Sequence, residues 1–262
     1  MADEGEQGAA SSAALAAEMF GDSLPQAEKY AALLTGVGVE RGVVGPAEAD
    51  KIWDRHLLNC GVVARLVPAK CAVVDLGSGA GLPGIVLAIL LPGVKMTLLE
   101  PLARRVDFLE ESVAVLGLTN VQVVRGRAED LAGRMLADVV TSRAVAPLDK
   151  LAGLSVGLAR PGGRVLAIKG SSAEAELIKA RPVLARIGVT DARVVQAGSA
   201  DGAAAATVVT FTAPEHRSSA KGSGGRSSAA RPDIRPPGRP GGRAASAAGG
   251  RKSRPNSRRG GG

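Results

Sequence analysis

Apolar residues along this chain follow two rhythms. Up to about residue 70 they recur at helical spacing: Ser11 to Phe20 is Ala-rich behind a serine start, Pro25 to Val37 places apolar residues three and four apart, and Pro46 to Leu66 continues that spacing. Three helices are predicted there. Beyond residue 70 short β-branched runs take over, at 71–75, 94–100, 121–125, 138–142, 164–169, 192–196 and 207–212, with helix-like stretches between most of them. Such alternation with short links predicts an α/β fold, a doubly wound and mostly parallel seven-stranded sheet. Residues 197–206 carry no helical pattern, so the last two strands are expected to form an antiparallel closing hairpin.

Composition divides the chain further. From Arg217 onward there are twelve Lys or Arg against one acid, Asp233, and the only large aliphatic residue is Ile234. Such a Gly-, Pro-, Ser- and Ala-rich segment cannot bury enough apolar surface to offset its ordering entropy. The expected organisation is a partly flexible N-terminal extension at 1–24, a helical segment at 25–70, the α/β domain at 71–213 and a disordered basic tail at 214–262. The tail also explains the net charge of +8, because residues 1–216 hold 21 basic and 24 acidic residues, a net of −3. The excess positive charge therefore describes a polycationic extension rather than a basic face on the fold. Two readings of it stay open, a tether for nucleic acid and a solubilising extension.

Other classes drop out. Cys60 and Cys71 form no CxxC pair, and two thiols with two histidines do not make a structural zinc site. Asp3, Glu4 and Glu6 give the N-terminus the wrong charge for a signal peptide, and the longest apolar run, Ile85 to Leu91, is too short to span a bilayer. A cytoplasmic monomer without a structural metal is expected.

The first strand ends in VVDLGSGAGLPG, where Asp75 leads into a glycine-dense turn and Pro83 opens a helix. Strand, turn and helix make a nucleotide-type cofactor site. Gly79, Gly81 and Gly84 satisfy the dinucleotide pattern G-x-G-x-x-G. The stretch from Asp75 through Gly77 and Gly79 to Gly81 more closely resembles the turn of S-adenosylmethionine enzymes, a strand-end Asp, one apolar residue and G-S/T-G-x-G. A pyrophosphate wants bare N–H groups, whereas a sulfonium and an ammonium suit an acidic strand end. Seven strands with a reversed final pair also match class I, Rossmann-like S-adenosylmethionine-dependent methyltransferases, and not the six-stranded dinucleotide fold.

Glu100 ends the second strand about 20 residues beyond the turn, placed to accept both ribose hydroxyls of an adenosine. Ala128 and Glu129 follow the third strand near the adenine edge, and Glu129 doubles as an acid in the first turn of the next helix. Arg143 follows the fourth strand and Lys169 ends the fifth, where a substrate faces the methyl donor. Arg supplies a bidentate donor for guanine O6 or phosphate, and Lys a point charge; structural ion pairs are the other reading for both. Neither the Asn/Asp-Pro-Pro-aromatic set of amine methylation nor a crevice cysteine for 5-methylcytosine is present. That leaves a nucleophile needing no covalent or general-base help, such as guanine N7, and catalysis by proximity. His56, in WDRHLLNC, either is a buried polar residue or lines the substrate mouth with Arg55.

Together these stretches resemble the GidB or RsmG family, the guanine-N7 methyltransferases of bacterial 16S ribosomal RNA. DRHLLNC, DLGSGAGLPG, LLEPLARRVDFLEE, RAED, SRAVAPLDKL and GRVLAIKG stand in family order across residues 25–212. The resemblance implies cofactor contacts at Gly77, Leu82, Ala128, Glu129 and Arg143 and a target guanine in the decoding-region loop of the small-subunit RNA, and catalytic roles are expected of Arg143, Lys169 and His56. The alternatives are a noncatalytic RNA-binding protein on the same fold, against which intact Asp75, Gly77, Gly79 and Glu100 argue, and a dinucleotide-dependent oxidoreductase. Few aromatics are available for stacking on bases, so recognition leans on Arg and on RNA shape.

Overall fold

In the computed structural model of the chain, which describes residues 3–198 and 204–215, with side chains from Ser12 onward, the β-branched runs form seven strands. They are β1 (Ala72–Leu76), β2 (Lys95–Glu100), β3 (Val121–Arg125), β4 (Ala137–Arg143), β5 (Ala159–Lys169), β6 (Arg193–Gly198) and β7 (Ala205–Thr212). All join one sheet in the order β3-β2-β1-β4-β5-β7-β6. The first five run parallel, and β7 lies antiparallel between β5 and β6, which is the predicted closing hairpin. The expected basic tail at 214–262 lies, from residue 216 onward, outside the described residues.

Alternation along each strand divides the core. Val73, Leu98, Val139, Leu166 and Val208 face one cluster of buried side chains, and their chain neighbours Val74, Leu99, Val140, Val165 and Val209 face the other. Successive side chains of a strand point to opposite faces, so near-continuous apolar runs are what a sheet covered on both sides requires. The first cluster also takes in Ala16 and Phe20 of the Asp3–Phe20 helix and Ala27, Tyr30 and Leu34 of the Leu24–Thr35 helix. The N-terminal helices therefore share the packing of the sheet.

The first helix begins at Asp3 and β5 at Ala159, both earlier than their patterns predict, and a third element differs in kind. The spacing at 46–66 reads as one helix, but the chain forms a short turn of helix at Pro46–Ala49, wide π winding at Ile52–Leu57, one α turn at Leu58–Gly61 and tight 3-10 winding at Val62–Leu66. Leu57, Leu58, Cys60, Gly61, Val62 and Val63 are all buried. A straight helix turns only one stripe inward, so changes of winding bring these adjacent residues into the core.

The strand order reverses direction between β1 and β4. In open α/β sheets that switch point, at the carboxyl ends of the strands, is where ligands sit.

Candidate functional site

A cleft of about 610 Å³ opens at that switch point. One wall is the turn after β1, Leu76 to Ala80 with Leu82; Glu100, Pro101, Leu102 and Arg105 follow from β2, Gly126 to Glu129 from β3, and Arg143, Ala144 and Val145 from β4.

The glycine turn is held from several sides. Gly77 takes a φ of +67°, and a Cβ added there would lie 2.9 Å from Val145, so this position demands glycine for both backbone and space. Its N–H and that of Ser78 donate to the Leu99 carbonyl at 2.9 and 3.0 Å. From the helical side Tyr30, fully buried, donates its hydroxyl to the Ala80 carbonyl at 2.7 Å.

Beneath the turn lies Asp75. Its Oδ2 accepts from Ser78 Oγ at 2.5 Å and from the Gly84 N–H at 3.0 Å, while Oδ1 has no partner among the described residues. Gly84 comes so close that a Cβ on it would sit 2.6 Å from Asp75 Oδ2. Burial pushes the Asp75 carboxyl up to about 6, against the pull of Ser78, Gly84 and Arg143 toward lower values. Asp75 is expected from sequence to contact a cofactor, yet it is fully buried and lines no part of the cleft. Both donors to its carboxylate belong to the loop and the following helix, so Asp75 shapes the turn in this structure.

Glu100 lines the cleft at 2% exposure. Oε2 accepts from the Gly79 N–H at 2.9 Å and Oε1 from the Leu102 N–H at 3.0 Å, with Arg105 Nη1 4.0 Å from Oε2. Carboxylate oxygens have two lone pairs each, so both retain acceptor capacity toward the cleft while bracing the turn. Ala128 and Glu129 stand where the sequence places them: both line the cleft, and both belong to the Ala128–Leu131 turn of helix, with Glu129 in its first turn.

Arg143 closes the far side. Its Nη1 lies 2.8 Å from His56 Nδ1, and His56 Nε2 lies 2.8 Å from Glu48 Oε2. His56 is not among the residues lining the cleft and lies behind Arg143, which does line it. Burial, then the positive charge of Arg143, holds the His56 imidazole below its ordinary value, against the pull of Glu48. Ala144 takes a φ of +54°, an uncommon conformation for a non-glycine residue, between two cleft-lining neighbours.

Lys169 also departs from expectation. It lines no part of the cleft; its Nζ donates to the Ala146 carbonyl at 2.7 Å and pairs with Glu176 Oε2 at 2.8 Å. Glu176 in turn accepts from the Leu148 N–H at 3.1 Å. Lys169 thus clamps the loop after β4 and makes an ion pair of the kind that was the other reading of the sequence.

Arg105, Arg127 and Leu102 line the cleft without having been singled out from sequence. Arg105 sits five residues beyond Glu100, in the first turn of the following helix, which was the available signal. Tyr30 also had one: a lone Tyr among apolar positions needs a partner for its hydroxyl when buried. Among the described residues no group of three or more His, Cys, Asp or Glu is arranged to hold a metal ion, and no helix is long and apolar enough to cross a membrane.

The chain matches the GidB family model, described as rRNA small subunit methyltransferase G, over residues 23–203, which contain every wall of the cleft. It is 54% identical over 197 residues to a ribosomal RNA small subunit methyltransferase G of Thermobifida fusca, covering 75% of this chain and 83% of that protein. A protein of the same name from Mycolicibacterium gilvum is 53% identical over 208 residues, 77% of this chain and 91% of the relative. Among solved structures, a SAM-dependent methyltransferase from Aquifex aeolicus aligns with a TM-score of 0.47 at 22% identity, over 65% of this chain and 99% of that one.

Proposed function

This chain belongs to the GidB family of small-subunit ribosomal RNA methyltransferases, and we propose that it transfers the methyl group of S-adenosylmethionine to N7 of a guanine in the decoding-region loop of 16S ribosomal RNA. Residues 71–213 form the methyltransferase domain in this reading, and the helices at 25–70 flank its cleft.

The observation that carries the cofactor is Glu100, a nearly buried strand-end carboxylate braced against the glycine turn and open to the cleft. S-adenosylmethionine bound there would have its ribose diol held by Glu100, its adenine by Ala128 and Glu129, and its amino-acid end by Gly77 and Arg143. Leu82 gives the cleft an apolar boundary. When bound, the cofactor supplies an electrophilic methyl on a positively charged sulfur. The nucleophile is the N7 lone pair of guanine: it forms the bond to the methyl carbon, the carbon–sulfur electrons stay on sulfur, and no proton leaves the base. No general base is needed, so the protein's task is alignment. Arg143, and through it His56, orients the groups that meet at the cleft, and Lys169 holds the loop that carries Arg143's neighbours.

A dinucleotide oxidoreductase is disfavoured by the reversed β7 inside the sheet. Ribosomal RNA or the small subunit is the partner, and the reading is of a cytoplasmic monomer.

Mass spectrometry of 16S RNA from cells with and without the protein tests the reading. A guanine methylation that disappears with the protein and returns with it is expected; identical modification in both sinks it.

A further inference from the structure

Arg143 has donors but no acceptor, so its 2.8 Å contact with His56 requires a lone pair on Nδ1. The proton of a neutral imidazole then sits on Nε2, which lies 2.8 Å from a carboxylate oxygen of Glu48. The three groups come from separate elements: Glu48 from the Pro46–Ala49 turn, His56 from the π-wound Ile52–Leu57 and Arg143 from the end of β4. π winding recurs at functional sites in proteins, and here it lies where the helical segment meets the cleft.

We propose that Glu48 and His56 are positioning residues for Arg143, with Glu48 fixing the imidazole as its Nε2–H tautomer so that Nδ1 accepts from the guanidinium and aims it into the cleft. The inference rests on the reading that Arg143 contacts the cofactor. It adds a carboxylate that lines no part of the cleft.

The arrangement tolerates one protonation state. A protonated ring loses the Nδ1 lone pair and turns an N–H toward a cation. The charged groups facing the imidazole are Arg143, Glu48 and, from its own element, Arg55. The two arginines and burial favour the neutral ring, and Glu48 favours the charged one. Removing the Glu48 charge therefore extends the neutral form to lower pH.

The ring itself gives the first test. The chain has two histidines, His56 and His216, so ring-nitrogen NMR of the full-length ¹⁵N-labelled protein resolves two imidazoles, and a His216→Asn variant assigns them. His56 is expected as the Nε2–H tautomer in the wild type and in Glu48→Gln, whose side-chain oxygen still accepts, and as a tautomer mixture in Glu48→Ala. Calorimetric titration with S-adenosylmethionine gives the second. His56→Leu is expected to weaken affinity about tenfold, and His56→Asn, whose Oδ1 takes the place of Nδ1, to recover part of that affinity. In the wild type, affinity falls with pH as His56 protonates, and Glu48→Gln moves that fall to lower pH. A wild-type ring protonated on Nδ1, or the same pH profile in wild type and Glu48→Gln, overturns the proposal. Neither measurement uses methyl transfer, so a chain inactive on 16S RNA still decides it.

Discussion

The hydroxyl of Tyr30 lies 2.7 Å from the carbonyl oxygen of Ala80, so a helix that precedes the sheet supports the turn on which the cofactor is read to rest. Tyr30→Phe removes that donor and leaves the ring in place. Since a typical hydrogen bond contributes about 1 kcal/mol net, the variant is expected to unfold at slightly lower denaturant and to bind S-adenosylmethionine several-fold more weakly. Unchanged calorimetric affinity would detach the helix from the site.

Glu100 serves the turn and the cleft at once. In Glu100→Gln one amide edge becomes a donor and meets the N–H of Gly79 or Leu102, so both the brace and the ribose contact suffer. Affinity for S-adenosylmethionine is expected to fall by about 1.5 to 3 kcal/mol, the range for hydrogen bonds to charged groups. Thermal stability without cofactor should fall too. A variant with wild-type affinity removes Glu100 from the ribose site.

Asp75 predicts a pH dependence. Its carboxyl is raised by burial from 3.8 to about 6, so the folded chain keeps a proton that the unfolded chain gives up. Ionising it within the fold costs stability as pH rises through that window, by up to about 3 kcal/mol. Asp75→Asn keeps an oxygen for Ser78 and Gly84 but does not titrate. Urea unfolding below and above the window is expected to show wild type losing stability relative to Asp75→Asn as pH rises. Parallel profiles would contradict the buried, raised carboxyl.

Much of this site was legible because its chemistry is local. Gly77, Gly79 and the strand-end Glu100 announce themselves through spacing, and the β-branched runs locate the sheet to within a few residues. What escaped depends on partners far along the chain: Tyr30 meets Ala80, and His56 meets Arg143 eighty-seven positions away. The ends of β4 and β5 looked equivalent in sequence, yet Glu176 on the next helix captures Lys169 and leaves Arg143 to the cleft. Broken winding across 46–66 was hidden because buried residues satisfy helical spacing whichever way the chain winds.

Lys169→Ala separates clamp from catalyst. Burial pushes the Glu176 carboxyl up, but hydrogen bonds from Lys169, Ser172 and Leu148 and the Lys169 charge outweigh it, and it titrates below its ordinary 4.5. That stabilisation is complete above 4.5 and disappears as pH falls through the lower folded value. Lys169→Ala is therefore expected to lower the urea midpoint at neutral pH and by less in acid. A midpoint unchanged at neutral pH with turnover abolished would return Lys169 to the chemistry.

Residues 217–262 carry twelve basic residues and one acid, against a net of −3 for the rest of the chain. Every described wall of the cleft lies before that segment, so its removal is expected to leave S-adenosylmethionine affinity and the unfolding midpoint unchanged. If the segment is an RNA tether, RNA affinity weakens. The slope of log affinity against log salt then becomes shallower by roughly 0.7 to 0.9 for each phosphate that the shortened chain no longer neutralises. Turnover at saturating RNA should change little, because every described wall of the cleft is kept. An identical salt slope in the full and shortened chains would make the segment a solubilising extension and leave RNA recognition to the arginines of the cleft, Arg105, Arg127 and Arg143.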